Sequence, residues 1–229
     1  MGLDVFVMPL WKFKVGDFTP PIEAALGIRP KVATPEGIAD GPGSEPVSFW
    51  ARWRAKREVA AIRRSVAKAN PGASIRWRDD GPAVFERQCP AFSAIRAFAL
   101  WLDGRDRLPA FDAPPEGDYH KHPAFELAIE HPSCPHLVGH GLHNGYFLPA
   151  DFATLGDVEP YLIFNHWPAS HPVGSTPRLL RELDLIRSHL PASPPGDDGP
   201  LAPVRRDHDR LREAAELSHR HGLPIIFWG

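Results

Sequence analysis

Apolar positions at the start of the chain alternate without leaving a polar side: Leu3, Val5 and Val7 interleave with Asp4, Phe6 and Met8. A strand that is apolar on both faces is covered on both faces, so residues 3–8 are predicted as a central strand. At the other end, Ile225, Ile226 and Phe227 form an unbroken apolar run, which predicts a second buried strand over 224–228. Between these ends the period lengthens to that of helices. Ala55, Val59, Ile62, Val66 and Ala69 recur on one stripe behind Ser48, a good N-cap, and Asn70-Pro71-Gly72 stops them, so a helix is predicted to about residue 69. AFSAIRAFALWLD, opened by Pro90 and closed by Gly104, predicts another. RLLRELDLIRSHL, behind Thr176 and Pro177, and residues 205 to 221, stopped by Gly222, predict two more. PAFELAIEH reads as a short helix or turn. SIRW and AVFERQ, on either side of Asp80-Gly81-Pro82, read as a short hairpin.

The chain holds 27 prolines and 19 glycines, which implies short elements joined by irregular connections. Two stretches concentrate them, residues 29–47 and 191–203, and both read as surface loops within one domain. The expected architecture is a single α+β domain over 1–229. Its mainly antiparallel sheet is built from residues 3–8, a hairpin within 137–152 and residues 224–228, packed with about four to five helices.

The hairpin follows from HLVGHGLHNGYFLPADF, residues 136–152. Asn144-Gly145 is a strong signal for a type I′ turn, because both residues tolerate positive φ. In that register Leu137, Tyr146, Leu148 and Phe152 share a core face, and His136, His140 and Asp151 share the other. Two imidazoles and a carboxylate can bind zinc or iron with open positions. The stretch lacks the glutamate of an HExxH zinc protease, and Pro149 marks a strand end where polar groups are simply wet. The favoured expectation is therefore no cofactor, with a metal on His136, His140 and Asp151 as the alternative. Cys134 lies near His131, His136 and His140 in sequence, but no oxyanion-hole or orienting signature accompanies it, and a free cysteine is more often a small buried hydrophobe. Asp207-His208-Asp209 on a helix reads as solvated.

Charge changes the picture once it is divided. The formal net charge is −2, yet Trp50 to Arg78 carries nine Lys/Arg and one acid, Glu58, for a net of +8. The rest of the chain is then at −10. Trp50, Trp53 and Trp77 interleave the basic stretch, as in nucleic-acid surfaces, but an acidic remainder repels phosphate. The reading adopted from the residues is an acidic protein partner for Arg54, Arg57 and Arg64, with nucleic acid disfavoured.

Two cysteines without a CxxC spacing predict reduced thiols. The opening residues read as a strand and not a signal peptide, and no apolar run approaches the length of a membrane helix. The expected location is the cytoplasm, with no membrane partner.

MGLDVFV at the start, CPHLVGH, GYFLPADF and VGSTPRLLRELDLI resemble the blocks of a family of small bacterial proteins patterned MGLDVYV, GYYLPVDF and GSSxRLLxEL. The resemblance covers about a fifth of the chain and implies kinship of fold with immunity- or accessory-type proteins; it brings no catalytic residues with it. The expected function is a non-enzymatic protein-binding domain of that type. The alternative is a metal-dependent enzyme using the His/Asp face of the 136–152 hairpin.

Overall fold

The computed structural model describes residues 3–18, 31–34, 37–40, 47–113, 118, 121–140, 144–158, 171–191 and 199–228. In chain order the elements are β1 (Leu3–Val7), α1 (Leu10–Lys14), β2 (Lys31–Thr34), β3 (Gly37–Asp40), α2 (Phe49–Ala69), β4 (Phe85–Cys89) and α3 (Phe92–Gly104). They continue with α4 (Pro135–Val138), β5 (Asn144–Leu148), β6 (Gly156–Val158), β7 (His171–Ser175), α5 (Thr176–His189), α6 (Ala202–His221) and β8 (Ile225–Trp228). Single 3-10 turns occupy Arg105–Arg107 and Pro123–Glu126. The fold is α+β, as the patterning predicts.

Six strands form the main sheet in the order β4-β1-β8-β5-β7-β6, antiparallel throughout except for the parallel pair β5-β7. Both predicted apolar strands lie inside it, with β8 between β1 and β5. Strand alternation sends their side chains into two cores. Leu3, Val5, Val7, Phe147, Ile225 and Phe227 meet α3, α5 and α6 on one face. Phe6, Met8, Tyr146, Leu148 and Ile226 meet α1 and α2 on the other. Burying one such large apolar side chain contributes about 1.5–3 kcal/mol, so both faces of the sheet are strongly held.

The caps work largely as read. The Ser48 hydroxyl accepts the Ala51 N–H at 3.2 Å and starts α2. Gly222, with φ of 66°, closes α6 in the left-handed conformation that glycine adopts without strain. For α5 the cap falls one residue earlier than predicted: the Ser175 hydroxyl accepts the Arg178 N–H at 3.3 Å.

Three expectations are corrected. The 137–152 hairpin is absent, because Pro135–Val138 is a helical turn and Asn144 and Gly145 lie in a strand opposite Trp228 and Phe227 of β8. Residues 141–143, and His143 with them, lie outside the described residues. Around Asp80-Gly81-Pro82 only Phe85–Cys89 is a strand, and it pairs with β1 instead of folding back on residues 75–78. Within 29–47, predicted as a loop, β2 and β3 pair as a two-stranded antiparallel ladder. The remainder of that stretch, and most of 191–203, lie outside the described residues.

Candidate interaction surfaces

The histidine block resolves into separate structural roles. His136 sits in α4 and is fully buried. Its Nδ1 accepts the Ser175 N–H at 3.0 Å, which leaves Nε2 to donate to the Ala153 carbonyl at 3.1 Å. Both ring nitrogens of a neutral imidazole are thereby used. Burial holds its pKa down to about 4. Glu182 of α5 accepts the N–H groups of His136 and Leu137, at 2.9 and 2.7 Å, and so caps α4. Burial raises this carboxyl to about 7, although the two N–H donors pull the other way.

His140 is also fully buried and lies flat on Phe147, with ring centroids 4.4 Å apart, against the edges of Phe227 and Phe92. Asp151 is exposed and accepts from Arg178 at 3.2 Å and from Arg181 at 3.1 Å. The structure therefore gives His136, His140 and Asp151 three different sets of partners, without the shared wet face that the hairpin register predicted. Among the described residues no group of three or more His, Cys, Asp or Glu is placed to hold a metal ion. Cys134 is buried, its thiol raised to about 12 chiefly by burial, which is the reverse of what a nucleophile needs.

What the molecule presents outward is charge, sorted by location. Helix α2 turns Ala55, Val59, Ile62 and Val66 into the core, and its one acid, Glu58, turns inward with them to pair with Lys14 at 3.1 Å. The opposite stripe of α2 carries Trp50, Arg54, Arg57, Arg64 and Lys68, all exposed. Arg54, Arg57 and Arg64 thus lie on one exposed stripe of α2.

The carboxylates divide differently. Asp79, Asp80, Asp151, Asp184, Asp209 and Glu216 each lie within 4 Å of an arginine. Asp106, Asp112, Glu126 and Glu130 are exposed and have no ion pair among the described residues. All four belong to the stretch that folds over the C-terminal end of α3. Phe111 packs on Phe98 of α3 and on His122, 4.8 Å away, and Ser133 N–H bonds to Asp103 at 2.9 Å. A shallow cleft of about 330 Å³ beside them is lined by Leu102, Asp103, Asp106, Ser133, Leu185 and His189. This surface had a signal in the sequence: residues 103–130 hold seven acids against three basic residues.

Fold and surface together define an α+β protein with a basic helix on one side of its sheet and a carboxylate-bearing segment on the other. The chain belongs to the family described as "Putative DNA-mimic protein", whose sequence model matches residues 1–227. No curated protein and no solved structure gives a match.

This membership corrects the functional expectation. The immunity- or accessory-type reading and the alternative of a metal-dependent enzyme on the 136–152 hairpin both give way to a family defined by likeness to DNA. The expected partner is corrected with them. A DNA mimic stands in for nucleic acid before DNA-binding proteins, so the setting aside of nucleic acid does not stand, whereas an acidic protein partner stays compatible with the family.

Proposed function

We propose that the protein acts as a DNA mimic, presenting the carboxylates of residues 103–130 to the basic groove of a DNA-binding protein. One observation carries this: Asp106, Asp112, Glu126 and Glu130 are exposed and lack an ion pair among the described residues, whereas most other exposed acids are held by arginines. A carboxylate already neutralised by a neighbour attracts a basic partner weakly. One left in water retains its charge for an incoming Lys or Arg, and several of them steer association. The adjoining 3-10 turns and the Phe98–Trp101–Phe111 aromatic cluster hold the described part of the segment against α3, and with it Asp106, Asp112 and Glu126. The buried, free thiols of Cys89 and Cys134 suit a reducing compartment, and we place the protein in the cytoplasm.

The test uses the full chain immobilised against the host proteins that elute from a double-stranded DNA column. Capture should be displaced by free duplex DNA and should weaken steeply with salt. The variant Asp106→Asn, Asp112→Asn, Glu126→Gln, Glu130→Gln should lose it while keeping its fold. Capture that duplex DNA does not compete, or that the neutralised variant retains, would remove the proposal.

A further inference from the structure

We infer that the outer stripe of α2 is a binding site for single-stranded nucleic acid, separate from the carboxylate surface and independent of its role. At the helix start Phe49, Trp50 and Trp53 stand 72%, 71% and 48% exposed. Large aromatics are rarely left so open on a monomer without a use. Their rings are set edge to face, Phe49 to Trp50 at 5.6 Å and Trp50 to Trp53 at 6.2 Å. The Arg57 guanidinium lies 5.3 Å from the Trp53 centroid.

Along the same stripe run Arg54, Arg57, Arg64 and Lys68, none in an ion pair among the described residues. From Trp50 to Lys68 the stripe is about 27 Å long at the α-helical rise of 1.5 Å per residue. Aromatic faces for bases beside unneutralised cations for phosphates are the two components of sequence-tolerant single-strand binding. The objection that acids elsewhere would repel phosphate loses force here. Glu58 is turned into the core, Asp79 is held by Arg63 at 3.0 Å, and the carboxylate segment is packed on the other side of the sheet.

Charge and shape select this occupant over others. A helix lying in a lipid interface sinks an apolar face into the bilayer, but the apolar face of α2 is already spent on the protein core. A second copy related by a twofold axis would set one basic helix against another. Single-stranded nucleic acid satisfies both the aromatics and the cations.

The experiment is fluorescence anisotropy of a labelled 20-residue oligo-dT against the full chain, at low and moderate salt. Saturable binding is expected, with affinity falling linearly on logarithmic axes as salt rises. Trp50→Ala with Trp53→Ala should weaken it about tenfold, whereas Trp50→Phe with Trp53→Phe should largely keep it. Arg54→Glu, Arg57→Glu, Arg64→Glu should abolish it, and the neutralised 106/112/126/130 variant should bind at least as well as wild type. Circular dichroism of each variant confirms the fold. No anisotropy change would overturn the inference, as would binding insensitive to the tryptophans or equal competition by polyglutamate at matched charge. So would a protein that ignores the oligonucleotide but sediments with phosphatidylglycerol vesicles or forms a tryptophan-dependent dimer.

Discussion

Glu182 holds His136 from behind: its carboxyl takes the histidine's backbone N–H at 2.9 Å, while the imidazole itself bridges Ser175 and Ala153. A buried acid and a buried base thus sit in one hydrogen-bonded assembly joining α4, α5 and the β7 end, and their titrations oppose each other.

The signs can be worked out. His136 stays neutral in the fold down to about pH 4, whereas the unfolded imidazole protonates near 6.5, so its contribution to stability is lost as pH falls through that window. Glu182 keeps its proton in the fold up to about pH 7, whereas the unfolded carboxyl releases it near 4.5, so its contribution is lost as pH rises. Between 4.5 and 6.5 the two slopes cancel. Glu182→Gln should remove one of them, leaving stability that climbs with pH there by close to one proton's slope relative to wild type. Urea unfolding at a series of pH values checks this, and identical slopes for the two proteins would show that Glu182 is ionised in the fold.

Gly145 adopts φ of 147°, and a Cβ there would meet the His140 ring at 2.5 Å and the Pro172 carbonyl at 2.7 Å. The ring is clamped by Phe147 and Phe227 and the carbonyl is backbone, so neither yields cheaply. Gly145→Ala should cost about 2–4 kcal/mol through strain and overpacking. A melting temperature within a degree or two of wild type would show that the β5 edge moves freely.

Asp207 is wholly buried at the start of α6, where it accepts the Ala91 N–H ahead of α3 and pairs with Arg210 at 3.3 Å. Asp207→Ala leaves the Ala91 N–H unanswered, while Arg210 keeps the Gln88 carbonyl at 2.9 Å, and should destabilise by about 2 kcal/mol. Asp207→Asn keeps an acceptor and should cost less. Chemical denaturation that ranks the two variants equally would mean the charge and not the acceptor matters.

Deleting residues 223–229 removes β8, which bonds to β1 and β5 at once and feeds Ile225 and Phe227 to one core and Ile226 to the other. No cooperative thermal transition should survive. A truncated chain that still unfolds cooperatively near the wild-type temperature would make the strand dispensable.

Where structure is local, the residues declare it. Ser48 and Gly222 mark helix ends because capping acts within a turn, and Leu3–Val7 announces a doubly covered strand because both its faces are apolar. Asn144-Gly145 misleads for the complementary reason. A turn preference of a few tenths to one kcal/mol is outweighed by pairing with β8, some eighty residues downstream, which no local pattern displays. Asp207 and His208 read as solvated and are buried, because their partners, Ala91 and the Leu183 carbonyl, are remote in sequence. The carboxylate surface was within reach. Averaged over everything outside residues 50–78, the acidic excess is diffuse, but residues 103–130 hold seven acids against three basic residues.

The sheet also acts as an insulating spacer between opposite signs of charge. Helix α2 belongs to the core on one side and the 103–130 segment to the core on the other, so the exposed cations of the helix and the four exposed carboxylates look out from opposite faces of the sheet. Near a polyanion the exposed cations of the helix are attracted and the four carboxylates repelled. That difference fades over a screening length of about 8 Å near physiological salt, so it acts only at close range.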